Sequence, residues 1–118
     1  MNAKDLGERL MNFTIRVLNL VKSLPKTDGN RIYGHQVIRS SSSVGANYAE
    51  ATCALTRKDF THDINKSRKE ARETNYWLRI ISKTNPKLSI RIEPLIEESE
   101  QIVKIFQASM KTVRKNNQ

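Results

Sequence analysis

The sequence predicts an all-α fold, an antiparallel up-down-up-down four-helix bundle in one domain over residues 1–118. Three observations carry that expectation. Apolar residues recur at alternating spacings of four and three along three long segments, and at helical spacing in a fourth, the pattern of an amphipathic helix. Short stretches holding Pro or turn-forming residues separate the segments, and short links favour antiparallel neighbours. No stretch shows the two-residue alternation of a strand.

The first helix is predicted over residues 4–24, with Leu6, Leu10, Phe13, Val17, Leu20 and Leu24 as its seam. Pro25 stops it, and Lys26-Thr-Asp-Gly-Asn30 reads as a turn. The second helix is expected to start within 32–36 and to end near Leu55. It holds the most distinctive stretch of the chain, Arg39-Ser-Ser-Ser-Ser-Val-Gly-Ala-Asn-Tyr-Ala-Glu-Ala51. Side chains from Ser40 to Ser43 and at Gly45, Ala46, Ala49, Ala51, Cys53 and Ala54 scarcely project, as in a linker. Val44, Tyr48 and Leu55 nevertheless keep helical spacing, so residues 40–54 are predicted to form a smooth rod inside the helix. Gly45 in a helix interior costs about 1 kcal/mol against Ala, which points to a close helix contact there.

Thr56-Arg-Lys-Asp59 resembles a capping box and opens the third helix. Its seam is Phe60, Ile64, Ser67, Ala71, Thr74, Leu78 and Ile81, and it is expected to end near Lys83, before Asn85-Pro86. The fourth helix carries Leu88, Ile92, Leu95, Ser99, Ile102, Phe106 and Val113. Pro94 suits a first turn and kinks an interior, so this helix begins at Glu93, or earlier with a bend. It is expected to end within 111–115, leaving a frayed tail at 115–118. Ile80 and Ile96 lie off the seams and are expected at a subunit interface.

Composition narrows the function classes. Hydrophobic residues make up 37% of the chain, and mean hydropathy is −0.61, which fits a soluble protein. The apolar runs are too short to span a membrane, and the acid-bearing first residues are unlike a secretory signal. Cys53 is the single cysteine, so no internal disulfide is possible and a reducing cytoplasm is the expected location. One Cys and two distant histidines, His35 and His62, make a poor zinc set. Charge is the strongest signal. Lys plus Arg number 21 against 12 Asp plus Glu, a formal net charge of +9, with a pI near 10.0. Such a chain attracts polyanions, and nucleic acid is the commonest in a cytoplasm.

No motif signals catalysis or a cofactor. Glu50-x-x-Cys53 and Glu70-x-x-Glu73 have the spacing of a di-metal bundle but lack its histidine. The four glycines are scattered and form no phosphate loop. Cys53, in an alanine-rich helix, reads as a small packed residue. The chain is therefore expected to be no enzyme, with no catalytic, cofactor-binding or metal-ligating residue. Asn47 and Glu50 share one helix face, and Glu70 with Glu73 shares another. The favoured reading is an interhelical network with Arg39 or Gln36 as donor; the alternative is a catalytic carboxylate cluster.

The third helix also carries a basic stripe. At helical spacing Lys58, His62, Lys66, Lys69, Arg72, Tyr76, Arg79 and Lys83 fall on one side, with Asp63, Glu70 and Trp77 on a flank. Cations interleaved with an aromatic can follow a phosphate backbone, or the stripe is merely a solvated face. A weaker basic patch at Lys111, Arg114 and Lys115 also suits the negative end of a helix dipole.

Two segments together carry a family resemblance: Gln36-Val-Ile-Arg-Ser-Ser-Ser-Ser-Val-Gly-Ala-Asn-Tyr-Ala-Glu-Ala51, and Asp59-Phe60 followed by Glu70-Ala-Arg-Glu-Thr-Asn-Tyr-Trp-Leu78. They resemble the four-helix bundle proteins encoded in intervening sequences of bacterial 23S rRNA genes. Arg72 departs from the pattern, where many relatives carry an acid. The resemblance implies a small all-helical bacterial protein assembled as a ring of five. A related branch, the accessory proteins of diversity-generating retroelements, forms basic barrels that contact a reverse transcriptase and nucleic acid. Arg39, Gly45, Asn47, Glu50, Glu70, Glu73 and Trp77 are then read as a structural signature. The leading functional expectation is a homo-oligomeric scaffold, a pentamer by resemblance, that binds RNA or a ribonucleoprotein through its basic surface. A scaffold for an acidic protein partner is the second expectation, and an enzyme using Glu50 and Glu73 is the third.

Overall fold

The structure is a computed structural model that describes residues 1–116 and the side chains through residue 113. Four α-helices follow in order: α1 (Ala3–Ser23), α2 (Asp28–Thr52), α3 (Arg57–Thr84) and α4 (Ser89–Asn116), with a 3₁₀ turn at Pro86–Leu88. No strand occurs among the described residues. Each helix packs on the next along the chain, and α1 touches α4 least. The result is a four-helix bundle measuring 49 × 22 × 20 Å.

Local chemistry sets the helix starts. The side chains of Asn2, Thr27 and Thr56 accept from the backbone N–H groups of Asp5, Asn30 and Asp59 at 2.9, 3.1 and 3.1 Å. Each satisfies a donor that a first turn leaves without a helical partner. The turn expected at residues 26–30 is therefore a correction: Thr27 caps the second helix, and Asp28, Gly29 and Asn30 are already in it. Asn30 is drawn inward because its amide finds partners. It exchanges two hydrogen bonds with the Asn85 amide, at 2.9 and 2.8 Å, and also donates to the Pro25 carbonyl. This pair ties the first connection to the end of α3.

α2 ends at Thr52, short of Leu55, because residues 53–56 must reverse the chain and cap α3. Cys53 and Ala54 thus lie just beyond the helix, and Leu55 is 97% exposed rather than continuing its apolar spacing. α4 begins at Ser89, the earlier of the two expected starts. Pro94 sits inside α4 on an exposed side, and the N–H it lacks would have met the carbonyl of Ile90, itself 88% exposed. Water can serve that carbonyl. α4 extends through residue 116, past the expected end, while residues 117 and 118 of the expected tail lie outside the described residues.

The four seams meet in one core. The five seam residues of α1 and Leu24 just past its end are buried, as are Ile64, Ala71, Leu78, Ile81, Ile92, Leu95, Ile102 and Phe106. Phe13 and Phe106 are the largest fully buried side chains. Ile96 belongs to this core, not to an outer face; Ile80 is half-buried. Placing Ile96 at a subunit interface is corrected by packing: α4 buries a stripe wider than its seam alone.

Small residues line the contact of α2 with α3. Ser40, Ser67 and Thr74 are fully buried, and the Ser40 and Thr74 hydroxyls lie 2.8 Å apart. The Ser67 hydroxyl donates to the Val44 carbonyl at 3.0 Å. On the other side of α2, Thr14 of α1 donates to the Ser41 carbonyl, also at 3.0 Å. Hydroxyls bonded across a helix contact satisfy buried polar atoms, and no buried side-chain polar atom among the described residues lacks a partner.

Candidate nucleic-acid interface

The outward face of α3 is built by its inner one. Burial of Ile64, Ser67, Ala71, Thr74, Leu78 and Ile81 turns the opposite positions to solvent. Lys58, His62, Lys66, Lys69, Arg72, Tyr76, Arg79 and Lys83 are all exposed. They span roughly 38 Å of helix at 1.5 Å per residue. Among the described residues, none of the stripe's six Lys and Arg residues, the candidate nucleic-acid binders Lys58, Lys66, Lys69, Arg72, Arg79 and Lys83, takes part in an ion pair.

Two carboxylates of α3, Glu70 and Glu73, are engaged by α2. Arg39 of α2 reaches Glu70 at 3.4 Å and pairs with Glu73, while Gln36 accepts from the Arg39 Nε at 3.2 Å. Glu73 also accepts from the Trp77 indole N–H at 3.0 Å. Trp77 in turn packs on Tyr33 of α2, ring centroids 5.8 Å apart, and meets Tyr76 edge-on at 5.2 Å. Arg39, Glu70, Glu73 and Trp77 therefore form one α2–α3 clamp. Its ion pairs are partly exposed, so each adds at most about 1 kcal/mol to stability. The clamp also gives both carboxylates a cationic partner on α2, and neither forms an ion pair with a cation of the outer face.

Asn47 and Glu50 stand outside this clamp. The Asn47 amide donates to the Ser43 carbonyl of its own helix at 2.9 Å, and Glu50 is exposed. Both are expected in the interhelical network; they lie on the same side of α2 as Arg39 but two to three turns further along, roughly 12–17 Å from it, and so miss Glu70 and Glu73. Glu50 and Glu73 are not brought together by any bond among the described residues. No cluster of three His, Cys, Asp or Glu able to hold a metal occurs among them either.

Gly45 borders open space. A Cβ built there would lie 3.7 Å from that of Leu10, an ordinary contact. Gly45, Ser42, Ala46, Ala49 and Thr52 of α2 face Gly7, Met11 and Ile15 of α1 across a groove of about 460 Å³. Met11 is 63% exposed and Ile15 49%. The close approach expected at Gly45 occurs instead at Gly34, where a Cβ would meet the Val21 Cγ1 at 2.8 Å.

A second groove, about 580 Å³, lies between α3 and α4. Arg72, Tyr76 and Arg79 line one wall and Glu100, Val103, Lys104 and Gln107 the other. The Asn75 amide bonds the buried Ser99 hydroxyl at 2.9 Å and joins the two helices beneath it.

The model of the 23S rRNA-intervening sequence protein family matches residues 5–108. The chain belongs to that family. It is also similar to a solved crystal structure from Bacteroides thetaiotaomicron, a protein of unknown function from the S23 ribosomal protein family. The two are 31% identical, with a TM-score of 0.82, over 94% of this chain and 99% of that one. No curated protein matches the chain significantly. Neither the family nor the structural relative indicates a catalytic activity.

Two features of this family member escaped the sequence reading. Arg9 of α1 holds Glu98 of α4 in a two-bond fork, Nε to Oε2 at 2.8 Å and Nη2 to Oε1 at 2.7 Å. That bond raises the Arg9 pKa above its ordinary value, and it spans the neighbouring pair of helices that touch least. Position 9 flanks the α1 seam, a signal for a helix-bridging charge, but nothing in the sequence names its partner. Lys104 is the other. It adds an α4 cation beside the α3 stripe, which only the crossing of two helices could bring there. The side chains of Arg114 and Lys115, in the weaker basic patch, lie outside the described residues; Lys111 is exposed. Among the described residues no helix is long and apolar enough to cross a membrane.

Proposed function

We propose that this chain is a non-enzymatic cytoplasmic scaffold that assembles into a closed homo-oligomer and binds RNA through the outer face of α3. One observation carries the reading: six cations, Lys58, Lys66, Lys69, Arg72, Arg79 and Lys83, share one solvent face, with none in an ion pair among the described residues. Uncompensated charge in a row favours a polyanion that can release counterions along its length. The net charge of +9 gives the same direction to the long-range field.

Assembly supports the binding. The groove between α1 and α2 leaves Met11, Ile15 and a face of small residues uncovered, a surface suited to another helix. Five copies, the number the family resemblance implies, would repeat the basic face around a ring, and weak contacts then add through multivalency. Ala46→Arg tests the assembly. Ala46 is exposed in the monomer, so this variant is expected to fold yet run as a smaller species by light scattering. A parent chain that is monomeric at micromolar concentration and physiological salt sinks the oligomer.

The binding test is a salt series on RNA. Each phosphate neutralised on a single strand contributes about 0.7 to the log–log slope. The Lys66→Gln, Lys69→Gln, Arg72→Gln triple variant is expected to keep its oligomeric state, bind more weakly and show a shallower slope. Parental affinity and slope in that variant would make α3 a solvated face. A parent without salt-sensitive RNA binding would hand the basic surface to an acidic protein partner instead.

A further inference from the structure

The α3/α4 groove has more in it than charge. Tyr76 is 58% exposed, among the most exposed large aromatic or aliphatic side chains of the described residues. It sits in the middle of the basic stripe, with Arg72 one turn before it and Arg79 one turn after it. Its ring is braced by an edge-to-face contact with Trp77, which Tyr33 and Glu73 hold in turn. A braced, exposed aromatic ring is a poor choice for a merely solvated face, where a lysine or glutamine would do.

The walls of the groove complete a site of a particular shape. Val103 supplies an apolar surface, and Lys104 faces the two arginines from α4. Of the two lining carboxylates, Glu73 is taken up by Arg39 and the Trp77 indole, which leaves Glu100 as the acid on the rim. A volume of about 580 Å³ lies within the range of small-molecule sites. Three cations around an aromatic platform match a planar π-face flanked by phosphates. A duplex cannot offer that, because its base faces are sealed in the stack; an unpaired nucleotide can.

We propose that the α3/α4 groove holds one unpaired nucleotide of a single-stranded RNA, its base stacked on Tyr76 and its flanking phosphates paired with Arg72, Arg79 and Lys104. This rests on the RNA-binding reading above and adds to it a preference for single strands over duplex. Lys58, Lys66 and Lys69 then extend the backbone track along α3, and the groove supplies the step that charge alone lacks.

Trp77 is the only tryptophan in the chain, so its emission reports on the ring beside it. The experiment titrates the full-length protein with an oligouridylate and with an RNA duplex of equal phosphate number, following both affinity and Trp77 fluorescence across a salt series. The parent is expected to bind the single strand more tightly and to show a change in Trp77 emission with it alone. Tyr76→Ala should weaken single-strand binding by roughly 5- to 140-fold, the span of base–aromatic stacking. It should leave duplex binding and the salt slope unchanged. Tyr76→Phe, which keeps the stacking face, should retain the parental affinity and the emission change. If Tyr76→Ala binds the oligouridylate as the parent does, or the parent prefers the duplex, the stacking subsite is wrong while RNA binding by the α3 face survives. If the parent binds neither RNA, both readings fall together.

Discussion

The two sides of α2 are made of the same small residues and have opposite fates. Toward α3, Ser40 is fully buried and its hydroxyl meets that of Thr74. Toward α1, Gly45, Ala46 and Ala49 border a groove that stays open. Residue size on α2 does not separate them. The partner helix does. α3 answers with Ser67, Ala71 and Thr74, all nearly without exposure, so the two backbones approach and hydroxyls bridge the gap. α1 answers with Gly7, Met11 and Ile15 at its margin, and these leave the gap unfilled. A run of small residues in one helix is thus half a statement about packing. The other half is written on the neighbour.

The most severe way to break the comparison is to put the same bulk on both sides. Ser40→Leu forces extra methyl groups into the closed contact and is expected to lose about 3 kcal/mol, the upper part of the overpacking range. For a domain of this length that lowers the melting midpoint on the order of 10 °C. Ala46→Leu, on the side that is open in the monomer, is expected to stay within about 0.5 kcal/mol of the parent when both are measured dilute enough to be monomeric, as surface changes usually do. Urea denaturation of the two variants decides it. Equal losses would mean that the groove is as tightly packed as the seam.

A second, smaller effect sharpens where the chain truly needs a glycine. At Gly34 an added Cβ would come within 2.8 Å of the Val21 Cγ1, and a β-branched side chain in a helix has little rotameric freedom to withdraw. Gly34→Ala is therefore expected to destabilise by about 1 kcal/mol even after its gain in helix propensity. Val21→Ala removes the obstacle. In that background Gly34→Ala should become stabilising, a coupling of roughly 1–2 kcal/mol in a double-mutant cycle. Additive effects would show that Val21 is not what Gly34 makes room for.

These positions also mark how far the sequence could be read. The helix count, the seams and the small-residue rod were legible, because apolar periodicity and Pro25 report directly on local structure. The α2 start differs because Asp28-Gly29-Asn30 has turn chemistry while Thr27 caps a helix there, and the bond that holds Asn30 inward comes from the Asn85 amide, fifty-five residues away. The fate of Ile96 was misread for a similar reason, since its burial depends on how α4 is rotated against its neighbours. The exposure of the α3 stripe followed from its own periodicity. Its contact with Lys104 and the clamp of Arg39 on Glu70 and Glu73 need the helix crossings; the sequence offers Glu70 and Glu73 on one face and leaves the donor open between Arg39 and Gln36. The cost of a helix-interior glycine points to a close contact at Gly45, and that cost does not distinguish the two sides of α2.

Gly45 itself provides the smallest and most discriminating measurement. Its added Cβ would rest 3.7 Å from that of Leu10, in ordinary contact, and the position lies well inside α2. Replacing a helix-interior glycine by alanine where nothing is displaced gains about 0.5–1 kcal/mol, chiefly by restricting the unfolded chain. Gly45→Ala is therefore expected to raise the urea midpoint slightly, opposite in sign to Gly34→Ala. The measurement is made at two protein concentrations, since a chain that associates gains apparent stability with concentration. A gain that is the same at both concentrations belongs to the helix alone. A gain at low concentration that shrinks or reverses at high concentration means that the methyl group intrudes on a partner copy seated in the groove, and Gly45 is then a glycine required by assembly rather than by the fold. A loss of about 1 kcal/mol or more in the monomer would erase the distinction between the two sides of α2.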